Sequence, residues 1–130
     1  MRLLWIMLAG ALGAASRYGL TVVIANWMSR GGRAFPLGTL VINVLGTLLL
    51  SILVTLILHR VVDAEWRFVL GTGFLGAFTT FSTFALESEE LLSSADWKSA
   101  AWYIGGNLLL GLLAVFVGRA WALRMVGVVS

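Results

Sequence analysis

The chain has no cysteine, one proline and one histidine. Without cysteine there is no disulfide, no thiol nucleophile and no thiolate metal site. His59 stands alone, so no histidine cluster can form. Charge is scarce as well: Asp, Glu, Lys and Arg make up 12% of the 130 residues, about half the share of a soluble domain. Hydrophobic residues reach 60% and mean hydropathy is +0.98. Lipid is the solvent that fits this composition, and the length suits one domain over residues 1–130. In that setting a net charge of +3 marks membrane flanks rather than a nucleic-acid surface, so no nucleic-acid partner is expected. No spacing suggests a nucleophile with a base, and no enzyme is expected.

The few charges divide the chain. Ala34 to Leu58, Phe68 to Leu86 and Ser99 to Gly118 carry none, and Leu3 to Ser16 is followed by a single interruption at Arg17. A spanning helix needs roughly 20 apolar residues. The pattern predicts four transmembrane helices, about 3–26, 36–58, 67–92 and 99–122, with Pro36 in the first turn of the second. The opening residues imitate a secretion signal, but the apolar pattern runs on past Arg17 through "YGLTVVIANW", which favours a retained span. All six tryptophans lie near span ends, as an aromatic belt would place them. Four spans put both termini on one side with Arg2, Arg60, Arg67, Arg119 and Arg124; the other side has Arg30, Arg33 and Lys98. That bias is weak, so either orientation is open, and an antiparallel dimer with it.

The third span reads "GTGFLGAFTTFSTFALE" over residues 71 to 87. "GTGFLG" matches G-x-G-x-x-G, but a dinucleotide site needs a strand before it and a soluble βαβ unit around it. Close packing through small residues is the simpler role, shared with Gly10, Ala14 and Gly106 on other spans. Glycines that weaken the helix, followed by Thr79, Thr80, Ser82 and Thr83, predict a break near residues 75 to 80. The competing reading is an intact helix whose hydroxyls bond back to the i−4 carbonyl. Phe81 and Phe84 are three apart, on one helix face. Aromatic ring edges are electropositive, so two of them in a narrow path could hold an anion weakly enough to release it; plain packing is the alternative. Thr39, Asn43 and Thr47 form a polar stripe on the second helix, and Tyr103 and Asn107 a pair on the fourth, either pore donors or interhelical hydrogen bonds. Arg17 lies deep in its span, about 13 Å from the helix end at 1.5 Å per residue. It could draw anions into a vestibule, or pair with a carbonyl or Glu87.

Together these residues resemble the Fluc family of fluoride channels over essentially the whole chain. "GALGAASRY", "PLGTLVINVLG" and above all "GFLGAFTTFSTF" resemble its markers on the first three helices, and Tyr103 and Asn107 fall at its polar positions on the fourth. Two departures are Asn107, where serine is common, and Gly111, where some members carry a hydroxyl. The resemblance implies an all-α membrane protein that works as a dual-topology antiparallel homodimer with two fluoride pores. Phe81 and Phe84 would face the ion; Asn43, Ser82, Thr83 and Tyr103 would line the path, with Thr39 and Asn107 on the same polar rows; Arg17 would sit at a vestibule. Glu87 matches an acidic position after the signature. A structural Na⁺ at the dimer centre would be held by the backbone carbonyls of Gly76 and Thr79. The implied role is fluoride efflux across a bacterial-type inner membrane.

Two rivals stand beside this reading. A small four-helix, proton-coupled multidrug transporter would need an intramembrane acid, yet the first helix carries Arg17 and no acid precedes Asp63. A non-transporting structural subunit would have no use for Asn43 or the hydroxyl cluster.

Overall fold

The computed structural model describes residues 1–29 and 35–127. Arg30 and Arg33, counted above for orientation, lie outside the described residues. Among the described residues all regular structure is helical. The helices are α1 (Arg2–Ser29), α2 (Leu37–Leu58), a π-wound segment (Arg67–Leu75) running into α3 (Gly76–Phe78), α4 (Phe81–Ser93) and α5 (Trp97–Met125). The π segment, α3 and α4 make up the third span, Arg67–Ser93, and four segments are long and apolar enough to cross a membrane.

The span ends differ from expectation by one to three residues: α1 runs to Ser29 and α5 to Met125, past the expected 26 and 122, and the starts of α2 and α5 shift for local reasons. Pro36 does not open α2; it precedes it, with ψ at 57°, and the helix begins at Leu37. The fourth span starts at Trp97 rather than Ser99 because the Asp96 carboxylate accepts the Ser99 amide at 3.1 Å and caps the helix. The turns after α2 and α4 share one design. Val61 N–H reaches Leu56 O and Arg60 N–H reaches Ile57 O, with Arg60 at φ 58°. Asp96 N–H reaches Leu91 O and Ala95 N–H reaches Leu92 O, with Ala95 also at φ 58°. Both are Schellman closures in which a residue with a side chain takes the left-handed position usually given to glycine.

Water is not the medium for this surface. Leu109 is 70% exposed and Phe116 68%, and a soluble monomer does not leave so much contiguous apolar surface uncovered. Small residues bring the helices together instead, as membrane packing requires. A methyl group at Gly13 would lie 2.2 Å from the Phe74 carbonyl oxygen, and one at Gly118 would lie 2.8 Å from that of Leu48. Gly13, rather than Gly10, is the close-approach residue of α1: at Gly10 the same probe finds 3.7 Å. At one end, Arg2 forks onto Glu65 at 2.6 and 2.7 Å and lies over the Phe68 ring. This pair puts the N-terminus and the second connection on one side, although more than half of each side chain is exposed and its energetic weight is small.

Candidate functional site

The third span is broken where its glycines give way to hydroxyls. Gly76 N–H bonds to Gly71 O, five residues back, so the winding is already loose before α3. Thr79 then turns extended, at ψ 157°, and Thr80 follows at φ −149° and ψ 116°. The intact-helix reading is partly right for one residue: Thr79 Oγ1 does donate back to Leu75 O at 3.0 Å. It fails for Thr80, whose hydroxyl caps the next helix by accepting Thr83 N–H at 3.2 Å.

Two backbone donors are thereby diverted. In an unbroken helix Thr80 N–H would serve Gly76 O and Thr83 N–H would serve Thr79 O. Here Thr80 N–H goes to Asn43 Oδ1 at 2.9 Å, and Thr83 N–H goes to Thr80 Oγ1. The carbonyls of Gly76 and Thr79 lose their helical partners as a direct result. Gly76 is also exposed on the surface of the single chain.

Asn43 receives the broken backbone. Besides accepting from Thr80 N–H, its Nδ2 donates to Thr80 O at 3.2 Å and to Asn107 Oδ1 at 3.1 Å. Asn107 Nδ2 donates to Tyr103 O at 3.0 Å, and Tyr103 O–H donates to Glu87 Oε2 at 2.5 Å. Tyr103 is fully buried, with Thr39 beside its hydroxyl. Glu87 is thus bonded to Tyr103, not to Arg17. Thr80 also donates from Oγ1 to Thr83 Oγ1 at 2.9 Å, and Ser82 Oγ lies 3.3 Å from Thr80 Oγ1.

The aromatic rings form a second row along this polar one. Phe81 and Phe84 have centroids 5.6 Å apart, and Phe84 lies 5.6 Å from Tyr103. Phe35 meets the other side of Tyr103 edge-on at 5.8 Å. Phe84 is half-buried, but Phe81 is 78% exposed and Ser82 beside it is exposed too. One chain therefore presents half of a path: rings and hydroxyls on an open face.

The fold gathers Thr39, Asn43, Ser82, Thr83, Phe84, Glu87, Tyr103 and Asn107 around the break. Arg17 is half-buried on α1, and among the described residues its guanidinium has no hydrogen bond or ion pair. Two participants were not singled out from the sequence as site residues. Thr80 could have been, since a threonine just before a helical stretch is a capping signal. Phe35 offered no signal, because its contact depends on how the chain enters α2.

A family model described as "CrcB-like protein, Camphor Resistance (CrcB)" matches residues 4–119. A relative named fluoride-specific ion channel FluC, from Nitrosococcus oceani, is 45% identical over 118 residues, 90% of this chain and 92% of the relative. Proteins of the same name from Chloroflexus aurantiacus and Acidobacterium capsulatum are 47% and 41% identical, the latter over 97% of this chain and 99% of its own length. With this coverage, the chain belongs to the CrcB-like family, that of the FluC proteins.

Proposed function

We propose that this protein is a fluoride-selective channel that lets F⁻ leave the cell down its electrochemical gradient and so protects against fluoride toxicity. It is a multi-pass protein of the bacterial plasma membrane and not an enzyme. The observation that carries the reading is the broken third span within a chain so similar to the FluC proteins. Hydroxyl donors and ring edges are presented together there, at membrane depth, without a full positive charge. Fluoride is small and strongly hydrated. Burying it without hydrogen bonds is prohibitive, while a lysine or arginine at the same place would hold it too tightly for conduction. Ser82, Thr83 and the edges of Phe81 and Phe84 supply intermediate attraction. Asn43, Tyr103, Thr39 and Asn107 form the wall behind them, and Arg17 serves as an anion-attracting vestibule residue.

The open face argues for a second copy. Ser82 exposed to lipid, and Arg17 with no side-chain partner among the described residues, would each cost free energy in hydrocarbon. An antiparallel homodimer closes that face, and the weak charge bias of the connections permits both orientations. Reporter fusions at the C-terminus should detect both orientations in one membrane; a single orientation with full activity would exclude dual topology. At the centre of such a dimer the freed carbonyls of Gly76 and Thr79 suit a hard monovalent cation such as Na⁺, which is commonly coordinated by unwound carbonyls. Among the described residues no group of acidic, histidine or cysteine side chains could hold a metal instead. When bound, the ion would tie the two breaks together.

Purified protein in lipid vesicles is expected to release trapped fluoride and retain chloride. Vesicles tight to fluoride would favour a structural subunit, and proton-driven drug uptake would favour the multidrug carrier.

A further inference from the structure

The side-chain amides of Asn43 and Asn107 are ordered by one another. Each amide has an acceptor end and a donor end, and a flip exchanges them. Asn107 Nδ2 donates to a main-chain carbonyl, that of Tyr103, which can only accept. Asn107 Oδ1 must then face Asn43, so Asn43 must present Nδ2 to it, at 3.1 Å. Asn43 Oδ1 is left facing Thr80 N–H, at 2.9 Å. With Asn43 flipped, two donors would meet at Thr80 N–H and two acceptors at Asn107. The Thr80 carbonyl, which accepts from Asn43 Nδ2 at 3.2 Å, demands the same orientation, so the fourth span and the Thr80 backbone order Asn43 together.

We propose that Asn107 is a positioning residue for the break: by its bond to Asn43 it stiffens the side chain that receives Thr80, and thereby holds the start of α4 in place. A second anchor lies on the same helix. Tyr103, one turn before Asn107 on α5, holds Glu87. Thr80 and Glu87 thus bracket the first two turns of α4, and Phe81, Ser82, Thr83 and Phe84 all lie between them. α5 fixes both ends of the stretch that carries the candidate ion contacts, without itself needing to touch the ion through Asn107. This deepens the fluoride-channel reading and rests on it only for its effect on conduction.

The test is hydrogen exchange at single backbone amides of the intact protein in lipid, read by NMR, with fluoride efflux on the same preparation. Thr80 N–H reports the relay. Thr83 N–H, which caps α4 on Thr80 Oγ1, should follow it, and Leu53 N–H, inside α2, is the internal control. Asn107→Leu keeps the bulk of the side chain and removes both its polar ends. It should raise exchange at Thr80 by about fivefold, as loss of one ordinary hydrogen bond does, and by no more than Asn43→Ala does. Leu53 should change much less, and fluoride efflux should fall. Asn107→Asp, studied at a pH low enough to protonate its carboxyl, can donate to Tyr103 O with one oxygen and accept from Asn43 with the other. It should restore Thr80 protection to near the wild-type value. Unchanged Thr80 exchange in Asn107→Leu overturns the proposal. So does an equal rise at Thr80 and Leu53, which would mean general loosening, or a failure of Asn107→Asp to restore what Asn107→Leu loses. Because exchange is read without fluoride, these outcomes are separate from the vesicle result that would defeat the channel reading itself.

Discussion

The third and fourth spans are both rich in glycine, and only one of them breaks. α5 contains Gly105, Gly106, Gly111 and Gly118 and runs unbroken from Trp97 to Met125. The third span contains Gly71, Gly73 and Gly76, winds loosely through the first two, and parts at Thr79 and Thr80. Low helix propensity is therefore not what opens a helix in lipid. In hydrocarbon the freed backbone groups must find partners, or the helix stays closed. On α5, by contrast, an added methyl at Gly105 or Gly111 meets nothing within 4 Å in the single chain. Beside the third span, Asn43 takes both polar groups of Thr80, and Thr80 Oγ1 takes the next amide. The break exists because a neighbouring helix is built to receive it.

The sharpest way to break this comparison is to add the same methyl group on each side of it. At Gly46 a Cβ would lie 2.2 Å from Thr79 Cγ2 and 3.2 Å from the Phe78 ring. Relief requires Thr79 to leave its rotamer and lose its bond to Leu75 O. Gly46→Ala should cost about 1–3 kcal/mol, the usual range for overpacking, and cut fluoride flux strongly. Gly111→Ala should leave thermal stability equal to wild type or raise it by up to about 1 kcal/mol, the helix preference of alanine over glycine. Equal effects of the two substitutions, measured by thermal unfolding in detergent, would mean that α2 does not shape the break.

A smaller effect separates the span ends from the site. Ala95 sits at φ 58° in the turn between α4 and α5. Ala95→Gly should relieve about 1 kcal/mol of left-handed strain, raising the melting temperature with little change in fluoride flux. A fall in stability would show that this turn is not held as described.

The four spans were legible because uncharged runs and terminal tryptophans report membrane depth one residue at a time. The region of the break was legible for the same reason: glycines followed by hydroxyls are a local pattern. The partner of the break was less so. Asn43 stood out as an expensive polar residue in an apolar helix, but that cost does not say what satisfies it. Its link to Thr80 and Asn107 depends on the register of α2 against two other spans. The same limit explains Gly13, whose role depends on where α1 crosses Phe74, and Glu87, whose partner proved to be Tyr103. Helix ends shifted where one side chain, Asp96, found an amide to cap.

The central claim is that the face opened by this break conducts the ion through ring edges and hydroxyls. It is tested most directly by fluoride efflux from vesicles containing Phe81→Ile or Phe84→Ile protein, with assembly measured on the same preparation. Isoleucine keeps apolar bulk and removes the electropositive edge, an interaction of about 1 kcal/mol by analogy with aromatic pairs. The expected result is at least a several-fold loss of fluoride flux in a well-assembled protein for each substitution. Near-normal flux for both, with assembly intact, would contradict the account and leave the hydroxyl donors to carry fluoride without the rings.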